Sequence, residues 1–167
     1  QNLSGQGYLV VSEVYDLGID NSPTLIKKMN LNNRNVVLKT SNLTTALAQN
    51  NCSELIICCF NNLSSVVQKI VSSNYQNVEI VPAGFMELKK MNLEDMLCAE
   101  TLKKSLDEKN IVIPDKILLE EQIKKMCDLK PRPAHYVDDV MLAIQPNIST
   151  TVPYVIANQH DFFEIGF

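Results

Sequence analysis

Leu55-Ile56-Ile57-Cys58-Cys59-Phe60, followed at once by Asn61-Asn62-Leu63-Ser64-Ser65-Val66-Val67-Gln68-Lys69-Ile70, decides the fold class of this chain. The first stretch is a continuous apolar run of strand length, which reads as a strand buried on both faces. The second opens with asparagines suited to a helix N-cap, then places Leu63, Val66, Val67 and Ile70 at helical spacing. A buried strand passing directly into an amphipathic helix is the unit from which parallel sheets are built.

The same alternation continues on both sides. Upstream, Val36-Val37-Leu38 is a short strand candidate and residues 42–49 follow as a helix. Downstream, Val78-Glu79-Ile80-Val81 is a further buried strand ending at Pro82-Ala83-Gly84. A helix then runs over about residues 93–107, with Met96, Leu97, Ala99 and Leu102 on one side. The pattern predicts an α/β fold, a mostly parallel sheet flanked by helices, with residues 36–38, 55–60 and 78–81 in one sheet. Residues 8–15, rich in Val and Tyr, are another strand candidate, closed by a turn over residues 16–23. Beyond Lys109, Pro114 is placed to open a helix reaching Met126, and Pro131 and Pro133 break the chain. Residues 137–144 read as a last helix and residues 152–156 as a final strand. Residues 1–167 are thus expected to form a single domain, with a loose polar start at 1–7 and a helical extension and C-terminal segment over 109–167.

Composition narrows the function classes. The chain has 167 residues, 46% of them hydrophobic and 20% charged, enough to bury a core without staples. Its formal net charge is -4 and no basic stretch is denser than Lys103-Lys104 or Lys124-Lys125, which argues against nucleic acid or an anionic membrane as partner. No apolar run is long enough to span a bilayer, and no secretory signal is visible at the start. Five cysteines without a Cys-x-x-Cys pair point to free thiols in a reducing cytoplasm, with Cys58, Cys59 and Cys98 largely buried. Self-association into a homo-oligomer stays open.

In sheets of this kind, ligands bind at the carboxyl ends of the strands, beside free helix N-termini. Residues 16–23, Thr40-Ser41-Asn42, Phe60-Asn61-Asn62 and residues 84–95 fall at such positions. Asn42, Asn61 and Asn62 each suit an N-cap, and Asn42, Asn61 and Glu94 are expected on one rim facing one cleft. Glu94 and Asp95 suit a hard metal, because two carboxylates hold Mg²⁺ while waters and a substrate phosphate fill its other positions. Asp16, Asp20, Asp138 and Asp139 are the other acids near turns or helix starts. His135, in a Pro-flanked loop, and His160, in the tail, have no partner identifiable by spacing and read as exposed loop histidines. Cys98, one turn past Glu94, reads as buried and inert, since no activating base can be named for it.

Together these stretches resemble the 2-phosphosulfolactate phosphatase (ComB) family. Asp16-Leu17-Gly18-Ile19-Asp20-Asn21-Ser22-Pro23 is similar to its Asp-Leu-Gly-Asn-Ser-Pro segment, with two residues inserted. Residues 38–47, reading LKTSNLTTAL, resemble its Leu-Thr-Thr-x-Asn-Gly-Thr-x-Ala segment. Phe60-Asn61-Asn62-Leu63-Ser64-Ser65-Val66 resembles a helix start of the family, and Ala83-Gly84, Leu93-Glu94-Asp95 and Cys98-Ala99 repeat a further pattern. Val137-Asp138-Asp139-Val140, then Asn147 and Val152-Pro153, resemble the C-terminal signature. Leu43 stands where the family has Gly, Glu100 replaces another Gly, and the family's opening strand, with its Asp and Arg- and Thr-rich turn, has no counterpart in these residues.

The resemblance implies Mg²⁺-dependent hydrolysis of a small phosphomonoester, 2-phosphosulfolactate, in coenzyme M biosynthesis. Glu94 and Asp95 would hold the metal and act as the catalytic acids, while Asn42, Thr44, Asn61, Asn21 and Ser22 would orient the phosphate. The competing expectation is a non-catalytic ligand-binding or assembly protein on the same fold, which Leu43 favours.

Overall fold

A computed structural model describes residues 7–13, 18–50, 52–84, 93–113, 120, 134–159 and 162–167. Three short strands form a parallel sheet in the order β2-β1-β3, with β1 at Leu9–Ser12, β2 at Ile19–Asp20 and β3 at Val36–Lys39. Val11 pairs with Ile19 on one side and Leu38 on the other, so β1 is central. Gly18 makes the tight return to β2 possible: a Cβ there would lie 2.4 Å from the Val10 carbonyl oxygen. The fold is α/β with a parallel sheet, as the alternating pattern predicts.

The helices follow the periodic segments closely. After β2 come α1 (Pro23–Ile26), and after β3 α2 (Asn42–Gln49); a 3₁₀ turn (Phe60–Asn62) leads into α3 (Leu63–Ser72). Then follow α4 (Leu93–Glu108) and α5 (Tyr136–Ala143), and an antiparallel hairpin of β4 (Tyr154–Gln159) and β5 (Phe162–Gly166) ends the chain. The main core gathers Phe60, Leu63, Val66 and Val67 from the turn and α3, Leu102 from α4, and Ile144 just past α5. The expected helix from Pro114 to Met126 lies outside the described residues.

Two of the three expected parallel strands are corrected. Residues 55–59 join no sheet: Ile56 makes one antiparallel bridge to Tyr154, and Phe60 already turns into the 3₁₀ helix. The backbone shows why the ladder stays short. Ile57 N–H donates to the Pro153 carbonyl at 2.8 Å and Val155 N–H to the Leu55 carbonyl at 2.9 Å, but Pro153 has no N–H to extend the pairing. Residues 78–81 pair with no strand among the described residues; they line a cavity instead, with Val78 and Val81 exposed. An apolar run tells that a segment is buried against something, not which backbone pairs with it.

The caps also differ from expectation. Ser41, not Asn42, occupies the N-cap position of α2, and Asn42 is its first helical residue. Asn62 occupies the N-cap position of α3 without capping it. Its buried side chain instead accepts from Cys59 N–H at 2.8 Å and donates to the carbonyls of Ile57 at 3.1 Å and Thr151 at 3.0 Å. The cap comes from far along the chain, where Asn147 Oδ1 accepts from Ser64 N–H at 2.8 Å. Asn147 sits at φ 59, a left-handed conformation that asparagine tolerates better than most residues.

Asn62 therefore ties residues 57–59 to Thr151 from a buried position. Asn62→Ala strands a buried backbone N–H and two carbonyls, and a loss of roughly 2–4 kcal/mol is expected from such groups. Urea unfolding followed by far-UV circular dichroism should show a lower midpoint at unchanged slope. A change within 0.5 kcal/mol, the range of ordinary surface substitutions, would contradict this role.

Candidate functional site

A cavity of about 600 Å³ is bounded by α2, α3, α4 and α5 together with residues 52–60 and 77–83. Most of its wall is aliphatic, including Leu43 and Leu47 from α2, Val66 and Ile70 from α3, and Ile80. Its ionisable side chains are Glu54, Glu79, Glu94, Asp95 and Asp139, with Tyr75, Tyr136 and the thiols of Cys52, Cys58, Cys59 and Cys98; no Lys, Arg or His lines it among the described residues.

Glu94 and Asp95 lie in the first turn of α4, where the helix dipole favours acids. The Gly84 N–H donates to Asp95 Oδ2 at 2.8 Å, so the end of residues 78–84 fixes this carboxylate. Glu94 Oε2 is buried and meets no hydrogen-bond partner among the described residues. Burial is the main cause that pushes the Glu94 carboxyl above the usual carboxylate range, and the Asp95 charge adds to it, against the Glu94 backbone N–H.

Cys58 and Cys98 meet on the same wall. Their thiols share a hydrogen bond that pushes Cys58 up, with burial adding to the shift, and holds Cys98 below the usual thiol range. All four described cysteines are free, but Cys59 and Cys52 are exposed and Cys58 and Cys98 only partly buried, which corrects the expectation of three largely buried thiols.

Other expected site residues have local duties. Asn61 Nδ2 donates to the carbonyls of Leu142, Ala143 and Gln145 at 3.0, 3.2 and 2.7 Å, closing the C-terminal end of α5. Thr44 Oγ1 bonds back to the Thr40 carbonyl at 2.5 Å, one turn earlier. Asn42, Thr44, Asn61, Asn21 and Ser22 are not among the residues lining the cavity.

A second cluster forms at the carboxyl end of β2, where ligands bind in parallel sheets. Asn21 N–H bonds to the Ser12 carbonyl at 3.2 Å. Ser22 is buried and caps α1, its Oγ accepting from Leu25 N–H at 3.2 Å with Pro23 at the first helical position. The same Ser22 hydroxyl donates to Asp139 Oδ1 at 2.7 Å, joined there by Thr24 N–H at 3.0 Å and Thr24 Oγ1 at 2.5 Å. Asp20 Oδ1 accepts from Ser22 N–H at 3.0 Å. His135 then enters: its Nε2 lies 3.4 Å from Asp20 Oδ2 and 3.9 Å from Asp139 Oδ2. Reading His135 as an exposed residue without a partner is thereby corrected, since 27% of its side chain is exposed and two carboxylates flank it. The partners lie more than a hundred residues away, so no spacing rule reveals them. His160 lies outside the described residues.

Carboxylates thus stand beside a strand's carboxyl end and around an adjoining cavity in an α/β domain with a parallel sheet. The model of one family, described as 2-phosphosulpholactate phosphatase, matches residues 10–134, and the chain belongs to that family. It is also 35% identical over 95 residues to a "Probable 2-phosphosulfolactate phosphatase" of Pseudothermotoga lettingae. That match covers 57% of this chain and 39% of the relative's length.

Two measurements follow. Denatured without reductant, the chain should titrate all five cysteines as thiols, and in the native state Cys52 and Cys59 should react before Cys58 and Cys98. Fewer than five would reveal a disulfide. The second concerns Asp139. Burial alone would raise its carboxyl, but the hydroxyls of Thr24 and Ser22, the Thr24 N–H and His135 outweigh it and hold the group below the usual aspartate range. A depressed folded-state value gives stability that is present above the unfolded-state value and lost as pH falls through the folded one. Asp139→Asn should therefore lower the melting temperature at pH 7, with the gap to wild type closing below about pH 4, near the unfolded-state aspartate value. A gap that persists unchanged at pH 3 would show that charge is not what Asp139 contributes.

Proposed function

We propose that this domain hydrolyses a small phosphomonoester of the 2-phosphosulfolactate type with Mg²⁺ held at Glu94 and Asp95. The observation that supports it most is the buried Glu94 Oε2, which has no hydrogen-bond partner among the described residues, beside Asp95 in a cavity. A buried carboxylate oxygen without a donor is costly, and a hard cation removes that cost. No group of three or more His, Cys, Asp or Glu converges as a metal site among the described residues, so Mg²⁺ here would keep several waters, its usual habit. When bound, the ion supplies positive charge to a phosphate and a more acidic water. The chain's own part is to hold Asp95 through Gly84, to shield the carboxylates with aliphatic walls, and to limit bulk water.

The charge balance of the cavity fits this reading. With acids and no described basic residue around it, a phosphorylated and sulfonated anion is repelled until a cation occupies the carboxylates. In the same place, the absence of a described Arg or Lys leaves transition-state charge poorly neutralised. Each missing electrostatic contributor of this type costs about a hundredfold in rate, so turnover by these residues alone should be slow. The rival reading, a non-catalytic binding or assembly protein, rests on Leu43 lining the cavity and on Asn61 being committed to α5. The place in coenzyme M biosynthesis comes from the resemblance and belongs to the same proposal.

Calorimetric titration with Mg²⁺ and a phosphate-release assay with 2-phosphosulfolactate and 4-nitrophenyl phosphate decide between the two. Saturable Mg²⁺ binding, and slow release that needs Mg²⁺ and drops at least a hundredfold in Glu94→Gln, is the expected result. Absence of both metal binding and phosphate release would favour the assembly protein.

A further inference from the structure

We propose that His135 is a proton-transfer group of this domain, set in place by Asp20 and Asp139. This rests on the phosphomonoesterase reading and adds to it a base, which the cavity itself does not offer.

The placement carries the inference. Each of the two carboxylates has one oxygen pinned and the other directed at the same imidazole nitrogen. Asp20 Oδ1 takes the Ser22 N–H while its Oδ2 lies 3.4 Å from His135 Nε2. Asp139 Oδ1 takes Ser22 and Thr24 while its Oδ2 lies 3.9 Å from Nε2. Nε2 is the ring nitrogen that faces both carboxylates and is suited to hold a proton toward them, which leaves Nδ1 as the nitrogen available for exchange with water. His135 stands at the N-cap position of α5, yet its side chain makes no capping bond, so the helix does not use the ring. The ring is partly exposed and therefore open to water, whereas the carboxylates behind it are more enclosed, at 21% and 14% exposed. Among the described residues, Asp20 and Asp139 are the carboxylates within 4.0 Å of its Nε2, at 3.4 and 3.9 Å. Asp139 also lines the cavity that holds Glu94 and Asp95. Asp20, 3.4 Å from Nε2, is thus placed to orient the ring, with Asp139 as a second positioning residue.

In the step assigned to it, His135 Nδ1 takes a proton from water as the water oxygen bonds to phosphorus. The bond between phosphorus and the ester oxygen breaks, and the leaving alkoxide recovers the proton from the imidazolium. The products are an alcohol and inorganic phosphate, and His135 ends as it began.

The test combines nuclear magnetic resonance with kinetics on the full chain. With only two histidines in the sequence, two-bond ¹⁵N–¹H spectra of the wild type and His135→Gln assign the ring of His135. Protonated Nε2 is expected in the wild type, with a mixed population in Asp20→Asn. Bare Nε2 in the wild type would overturn the inference whatever the turnover. In the Mg²⁺-dependent phosphate-release assay, His135→Ala should lose at least tenfold in kcat with KM within about threefold, and added imidazole should restore part of kcat. Folded His135→Ala with wild-type kcat would overturn the inference and leave the phosphatase reading intact. No release by the wild type under any of these conditions would overturn both.

Discussion

The Asp139 carboxylate is the contact on which the arrangement of this domain depends. Its Oδ1 collects Ser22 Oγ, Thr24 N–H and Thr24 Oγ1 across separations of 117 and 115 residues. The parallel sheet is small, and β3 leaves Val36 and Leu38 43% and 51% exposed, so burial at this edge does little to attach the sheet to the rest. The main core lies elsewhere, among α3, α4 and the end of α5. A charge-assisted cluster at the start of α1 therefore joins two regions that apolar packing joins weakly. Hydrogen bonds to a charged acceptor are worth roughly 1.5–3 kcal/mol each in favourable settings, enough for a few of them to matter in a marginally stable domain.

The same contact shapes the chemistry. Ser22 serves three partners at once: it caps α1, donates to Asp139 and, through its backbone N–H, holds Asp20. Fixing one oxygen of each carboxylate leaves the other free to face His135. Glu94 and Asp95 sit under a different constraint, in a mostly aliphatic cavity where Gly84 holds one carboxylate and nothing described satisfies the other. The domain thus contains carboxylates satisfied by protein donors and one carboxylate oxygen without a donor among the described residues.

How much of this was legible follows from the range of the interactions. The helices at Asn42–Gln49, Leu63–Ser72, Leu93–Glu108 and Tyr136–Ala143 were readable because their apolar spacing and end residues are local. The strand at Val36–Lys39 was also readable, since β-branched residues stand between turns. Residues 55–60 misled because a strand is defined by its neighbour, and the neighbour offered here begins with Pro153. The cap of α3 was expected from Asn61 or Asn62, which are adjacent in sequence, but Asn147 supplies it. Of the expected site, Glu94 and Asp95 do share a cavity wall, whereas Asn61 was read as a ligand group although its amide closes a neighbouring helix. His135 looked solitary for the same reason that Asn147 was overlooked: the partner is distant in sequence. One signal was available. Two segments that carry the family resemblance, residues 16–23 and residues 137–140, are the ones that meet at Asp139.

The placement of donors explains why acids bordering one cavity differ in state. The five carboxylates that border the cavity repel one another and any phosphorylated anion, since charges a few ångströms apart interact strongly when water is excluded. Asp139 escapes that cost because protein donors already neutralise it in part, which its depressed carboxyl reflects. Glu94 does not escape it, and burial lifts its carboxyl instead. Two acids bordering one cavity are thus driven in opposite directions by their surroundings alone. A carboxylate held charged suits the orientation of a neighbouring imidazole, and one left unsatisfied suits an incoming cation. The donors on Ser22 and Thr24 therefore do more than tie the sheet to α5, because they set Asp139 apart from Glu94, whose Oε2 has no donor among the described residues.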